Sequence, residues 1–155
     1  MFKIWKTIMV GAYQSAEAWI KALTSSGFRV SGWAKDILAQ IKRFQSPTQV
    51  SFVKATLAEL GFTKPATLTE IIARIKELGY ELCEPDDAPA LRLAYTDQSL
   101  GEWLYVAMEP VRDSDGDLWV FRLGYVAGGM WLYGRYAGPD GAWDPGGSFL
   151  FRSCK

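Results

Sequence analysis

Apolar and polar residues alternate through the first ten positions, with Phe2, Ile4, Lys6 and Ile8 on one side and Lys3, Trp5, Thr7 and Met9 on the other. A period of two marks a strand with both faces partly covered, so a strand is expected over 2–9. The period then lengthens to that of a helix. Ser15 is placed to cap it, Glu17 falls in its first turn, Trp19, Ala22 and Leu23 form its apolar stripe, and Gly27 ends it. A second helix is predicted from Ser31, because Ala34, Ile37, Leu38 and Ile41 recur at i, i+3, i+4 and i+7. "SPTQ" at 46–49 reads as a turn. "VSFVKATLAELGF" at 50–62 begins as a strand, but beyond Ala55 its pattern fits strand and helix equally. Thr67 and Glu70 make a T-x-x-E capping box, Leu68, Ile71, Ile72, Ile75 and Leu78 line one face, and Gly79 stops this third helix.

From residue 83 the pattern changes. "CEPDDAPAL" at 83–91 is rich in proline and acid and reads as a loop. Strands are then predicted in "GEWLYVAMEP" (101–110), "LWVFRLGYV" (118–126), "GMWLYGRY" (129–136) and "SFLFR" (148–152), with "DSDGD" (113–117) turning the chain between the first two. No repeat and no long linker divides the chain. A single α+β domain over 1–155 is expected, helical in its first half and rich in strand and loop in its second.

Composition sharpens the picture in a few places. A chain of 155 residues, 49% hydrophobic and 22% charged, falls in the globular range. A domain of that length buries roughly two-thirds of its unfolded surface and needs no disulfide or metal to do so. No apolar run approaches the roughly 18–20 residues of a bilayer span. "MFKIWKTIMV" lacks the long apolar region and cleavage site of a signal peptide, which leaves the cytoplasm as the default location and no membrane insertion. The formal net charge of zero removes the simplest case for nucleic-acid binding. Charges are still segregated: residues 1–46 carry seven Lys and Arg against Glu17 and Asp36, whereas 81–120 carry ten acids against Arg92 and Arg112. Two solvated faces account for this better than an electrostatic docking patch. The absence of histidine excludes Ser-His-Asp and Cys-His catalysis and histidine-ligated zinc. Cys83 and Cys154 are too few for a disulfide framework and read as buried or idle thiols in preference to a single pair.

Three constellations bear on chemistry. "DSDGD" superficially suggests a calcium loop, but its flanks are strands, so a hairpin turn at Asp115-Gly116 explains it better. Glu84, Asp86 and Asp87 cluster as paired catalytic carboxylates would, yet a solvated loop is the simpler reading. Glu102 and Glu109, seven apart, are expected on opposite sides of one strand. No P-loop, dinucleotide fingerprint, G-x-S-x-G elbow or CxxC occurs. The remaining feature is Gly128 to Arg152, which holds seven of the 15 glycines and six of the 22 aromatic residues. Tyr133, Tyr136 and Trp143, interspersed with Arg135, Asp140 and Asp144, have the composition of a recognition surface. Trp131, Leu132, Phe149 and Phe151 are assigned to the core; for Tyr133 and Tyr136, recognition and core packing stand equally.

This aromatic-glycine segment, following helices at the end of a compact chain, resembles the variable proteins of diversity-generating retroelements, whose fold is that of C-type lectins. The likeness is to their archaeal, AvpA-like branch and to short proteins sharing landmarks that read here Glu81-Leu82-Cys83, Gly101 to Leu104, Ala107 to Pro110, Asp113 to Gly116, Trp131 and Trp143. In that family, error-prone copying at template adenines rewrites the 3′ end of the gene. Asn-type codons then yield Tyr, Gly, Arg, Asp, Ser, Ala, Cys and Leu but not Trp, Lys, Glu or Met. The resemblance implies a C-type-lectin-like fold with a variable region over about 117–148. It implies Trp131, Leu132, Pro139, Trp143, Phe149 and Phe151 as frame. Its candidate variable, ligand-binding positions are Arg122, Gly124, Tyr125, Tyr133, Gly134, Arg135, Tyr136, Asp140, Gly141, Ala142, Asp144, Gly146 and Gly147. It also implies that the first and last strands pair. The calcium triplets of animal lectins are incomplete, with Glu84-Pro85-Asp86 ahead of the main strands and Trp143-Asp144 lacking the asparagine, so only the fold is carried over.

The leading expectation is a non-enzymatic, receptor-like binding protein, without cofactor or metal, monomeric, whose partner is a macromolecule, most simply a protein. Tyr133 and Tyr136 would anchor it, with Arg135 and Asp144 as orienting polar contacts. The rival is a histidine-independent hydrolase or transferase using Glu102, Glu109 or the 84–87 carboxylates. A structural subunit burying its C-terminal aromatics against a partner chain is a third reading.

Overall fold

The computed structural model describes residues 2–153. Cys154, and with it any pairing to Cys83, lies outside the described residues. The elements run β1 (Lys6–Val10), α1 (Ala16–Ser25), β2 (Arg29–Val30), α2 (Gly32–Ala39), β3 (Thr48–Thr56), β4 (Ala66–Thr67), α3 (Leu68–Glu77), α4 (Asp87–Ala94), β5 (Trp103–Val106), β6 (Val111–Arg112), β7 (Leu118–Val126), β8 (Gly129–Tyr136), β9 (Ala142–Trp143) and β10 (Ser148–Arg152).

The first three helices start where their caps dictate. Ser15 accepts from the Ala18 amide and Ser31 from the Ala34 amide, and the Thr67–Glu70 capping box is closed in both directions. The segment left open after Ala55 is a strand to Thr56 followed by a single turn. Thr56 and Glu59 exchange side-chain and backbone hydrogen bonds of 2.8 and 3.0 Å there, which stops the strand as a capping box starts a helix.

Four expectations are corrected. The opening strand is limited to Lys6–Val10. The supposed loop at 83–91 contains α4: Pro89 is tolerated because it lies in the first turn, where its missing N–H would have no partner within the helix. Asp86 and Asp87 are consequently buried, not solvated. Finally, β5 spans only four residues, so neither Glu102 nor Glu109 lies on it.

The main sheet is mixed, in the order β1-β3-β10-β5-β7-β8-β2, with β6 attached to β7; β4 and β9 form a separate pair. β10 does not pair with β1, as the resemblance implied. β3 intervenes, antiparallel to both, and β10 runs parallel to β5 on its other side. The two ends still meet through side chains, Phe2 resting edge-on against Phe151.

Strand alternation divides the sheet into two faces. Phe52, Leu150, Leu104, Leu123, Phe121 and Leu132 share one face and are fully buried beneath α1, α2 and α4. Phe149, Phe151, Val53 and Ala55 point the other way, toward the apolar stripe of α3 and Tyr80, whose ring lies 5.2 Å from that of Phe151. The same outer face continues across β5, β7 and β8, where Val120 is buried but Trp103, Tyr105, Arg122, Trp131 and Tyr133 remain partly exposed.

Candidate functional site

Register places two rows on this outer face. Trp103, Gly124 and Trp131 stand abreast on β5, β7 and β8, and Tyr105, Arg122 and Tyr133 form the adjacent row. Arg29 on β2 continues the first row beside Trp131, and Arg135 follows Tyr133 along β8.

The side chains interlock. The Arg122 guanidinium lies 4.3 Å from the centre of the Trp103 ring and 5.4 Å from that of Tyr133. Trp131 stacks on Tyr133 at 5.0 Å with 14° between the planes, and Trp103 meets Tyr133 at 5.2 Å. Arg29 sits over Trp131 at 5.6 Å, and Arg135 over Trp143 at 4.4 Å. Trp143 is itself buried edge-on against Tyr105 and Phe149. Each cation is held by the electron-rich face of a ring, which orders the arginines without neutralising them. The Nε–H of Arg122 and the indole N–H of Trp131 are both buried without an acceptor.

Gly124 makes the arrangement possible. A Cβ there would fall 2.8 Å from Cη2 of Trp103, so the bare backbone is the seat of that ring. Beneath it, on the helix-covered side, Arg92 of α4 is fully buried with no carboxylate partner. Its guanidinium donates to the Tyr95, Trp131 and Gly124 carbonyls at 2.6, 3.2 and 3.4 Å and to Gln98 Oε1 at 2.7 Å. Gln98 in turn donates to the Glu102 and Leu123 carbonyls. Burial pulls the Arg92 pKa down to about 10. This network ties the loop before β5 to the β7–β8 hairpin and fixes the spacing of the two tryptophans.

The structure separates several residues that the sequence grouped together. Arg122, Tyr133 and Arg135 meet on the outer face. Tyr125, Gly134 and Tyr136 have the opposite strand parity and lie on the helix side: Gly134 is buried against Trp119 and Trp33, and Tyr136, 51% exposed, leans edge-on against Trp119. Asp140, Gly141, Ala142, Asp144, Gly146 and Gly147 lie in the β8–β10 connection, mostly exposed. Leu132, Phe149 and Phe151 are core as expected, but Trp131 is half exposed on the outer face. Trp103 and Tyr105, not singled out from sequence, are central. Their period-two placement in "GEWLY" and the hairpin turn at Ala127–Gly128 were the available signals.

The carboxylates of the rival reading are dispersed and engaged. Asp87 takes a two-pronged ion pair from Arg152 at 2.8 and 2.9 Å and a hydrogen bond from Gln45. Asp86 accepts from the Gln45 backbone and side chain. Beside this knot, Cys83 is buried, and burial first and the Asp87 charge second push its thiol well above the usual range. Glu102 accepts from the Tyr95 hydroxyl at 2.7 Å and lies 3.6 Å from Lys54; burial first, and this hydrogen bond second, raise the tyrosine pKa. Glu109 is exposed beside Lys76. Asp113 closes the "DSDGD" turn by accepting from the Asp115 and Asp117 amides and the Trp119 indole, with Gly116 at φ +90°. Among the described residues no three Cys, Asp or Glu side chains converge to hold a metal ion, and no helix is long and apolar enough to cross a membrane.

No protein-family model matches the chain, and no curated protein or solved structure is significantly similar to it.

Proposed function

We propose that the chain is a non-enzymatic binding protein whose outer face over β5, β7 and β8 receives a macromolecular partner, most simply a protein. The observation that carries this reading is the half-exposed Trp103–Arg122–Tyr133–Trp131 stack on a sheet face without a covering helix. Aromatic residues and arginine dominate binding energy at protein interfaces, and here they are ordered before any partner arrives. Asp86, Asp87 and Glu102 have partners within the fold and face away from this strip, which favours binding over a carboxylate enzyme.

The finer reading is that the α+β domain is C-type-lectin-like and that its region 117–148 is diversified by a retroelement. Of the candidate positions, Arg122, Tyr125, Tyr133, Arg135, Tyr136, Asp140, Gly141, Ala142, Asp144, Gly146 and Gly147 are at least partly exposed and accommodate change, whereas Gly124 and Gly134 are pressed against tryptophan rings. Deep sequencing of the gene's 3′ end across its natural population, with a search of flanking DNA for a near-identical template repeat, tests it. Variation at the exposed positions with Gly124 and Gly134 constant is expected; a uniform 3′ end without a template refutes diversification and leaves a binding module of constant sequence.

A further inference from the structure

Resting on that reading of the outer face, we infer that its partner presents a carboxylate-bearing, acidic peptide segment, received at Arg122. Among the described residues the Arg122 side chain makes no hydrogen bond and no ion pair; two aromatic rings alone hold its guanidinium. A guanidinium kept in place with its terminal N–H donors unused is a docking site for a carboxylate, which accepts from it in two-pronged fashion.

Charge on the face points the same way. Arg29, Arg122 and Arg135 are its ionised side chains, and every other outward position of β5, β7 and β8 is aromatic, aliphatic or glycine. Electrostatic complementarity therefore selects an anion, and the flanking rings select a ligand with apolar or planar groups next to the charge. A short acidic peptide fits better than a nucleic-acid strand. The net charge is zero, so the chain lacks the excess of basic side chains that tracking a long run of phosphates requires, whereas three arginines suffice for a short run of carboxylates.

Selection of a random-peptide display library on the full chain, in parallel with its Arg122→Gln variant, tests this. Peptides enriched on the wild type are expected to be rich in Asp and Glu, to weaken as sodium chloride is raised, and to bind Arg122→Gln at least about tenfold more weakly. Far-UV circular dichroism and the unfolding midpoint establish that the variant is folded; should it not be, Arg29→Gln with Arg135→Gln takes its place, with the same direction expected. Enrichment of neutral peptides that bind wild type and variant alike would overturn the inference while leaving the face a peptide site. A single-stranded oligodeoxythymidylate that displaces the peptides would overturn it in favour of nucleic acid. No enrichment at all would overturn both the inference and the binding reading beneath it.

Discussion

Replacing Gly124 by alanine tests whether the aromatic face depends on a bare stretch of backbone. The added methyl carbon falls 2.8 Å from Cη2 of Trp103 and nearer still to Cζ3 and Cε3, whereas carbon atoms are at ease at about 3.5–4.0 Å. Backbone cannot yield in the middle of a sheet, so the ring must tilt outward. Overpacking of this kind costs about 1–3 kcal/mol. Tilting the ring also forfeits the Arg122 contact, worth about 0.5–1 kcal/mol at a partly exposed site. Against this, alanine restricts the unfolded chain and returns about 0.4–1 kcal/mol, since Gly124 is not among the glycines with positive φ. The balance is a loss of about 2 kcal/mol, or about 4–8 °C in Tm for a domain of this size. Gly32→Ala is the matched comparison. It lies at the start of α2 with nothing near its Cβ position, so only the favourable term remains and a Tm rise of about 1–4 °C is expected. Thermal melts by far-UV circular dichroism, with near-UV spectra to follow the Trp103 environment, decide it. A Gly124→Ala protein that melts at or above the wild type would refute the seat described for Trp103.

Asp87→Asn breaks the pair with Arg152 inside the fold and is expected to destabilise by about 3 kcal/mol or more in urea titrations, because a largely buried guanidinium loses its counter-charge. Cys83 is expected to resist iodoacetamide at pH 8 in the native protein and to react promptly in denaturant, measured by mass spectrometry on the peptide carrying it. Burial would raise the Asp113 pKa, but hydrogen bonds from the Asp117 amide, the Trp119 indole and the Asp115 and Gly116 amides win and hold it below the ordinary value. A lowered carboxyl pKa adds stability that is present above the unfolded value of about 3.9 and is lost as pH falls through the folded one. Wild type should therefore lose stability below about pH 4 more steeply than Asp113→Asn, which retains the shape of the turn without the titration.

Local signals were legible wherever one residue controls its own neighbourhood. Ser15, Ser31 and Thr67 cap helices because a side-chain oxygen meets an amide three residues on, and Asp115-Gly116 turns the chain because glycine accepts the φ required. α4 was not legible: its proline and acids signal loop, and only contact with Gln45 and Arg152, distant in sequence, makes burial of Asp86 and Asp87 tolerable. The same limit applied to the site. Tyr133 and Tyr136 are three apart, an odd number, so a strand sends them to opposite faces, and composition alone pooled what geometry separates. Trp103 stood out only once the register set it opposite Gly124 of β7, a pairing whose exact offset the "DSDGD" turn alone does not fix.

The position of β10 bears on how the protein is made. A ribosome releases β1, β2, β3 and their helices first, then β5, β7 and β8; the two-residue β2 pairs with β8 at the far edge, but no strand yet bridges β3 and β5. The edges of β3 and β5, each destined for the middle of the sheet, are left as unpaired templates until residues 148–152 emerge and fill the gap. Sheet closure is thus the latest event in vectorial synthesis. A transcript cut short before Ser148 would yield two half-sheets with open, apolar edges, material for aggregation and proteolysis instead of a slightly shorter version of the same fold.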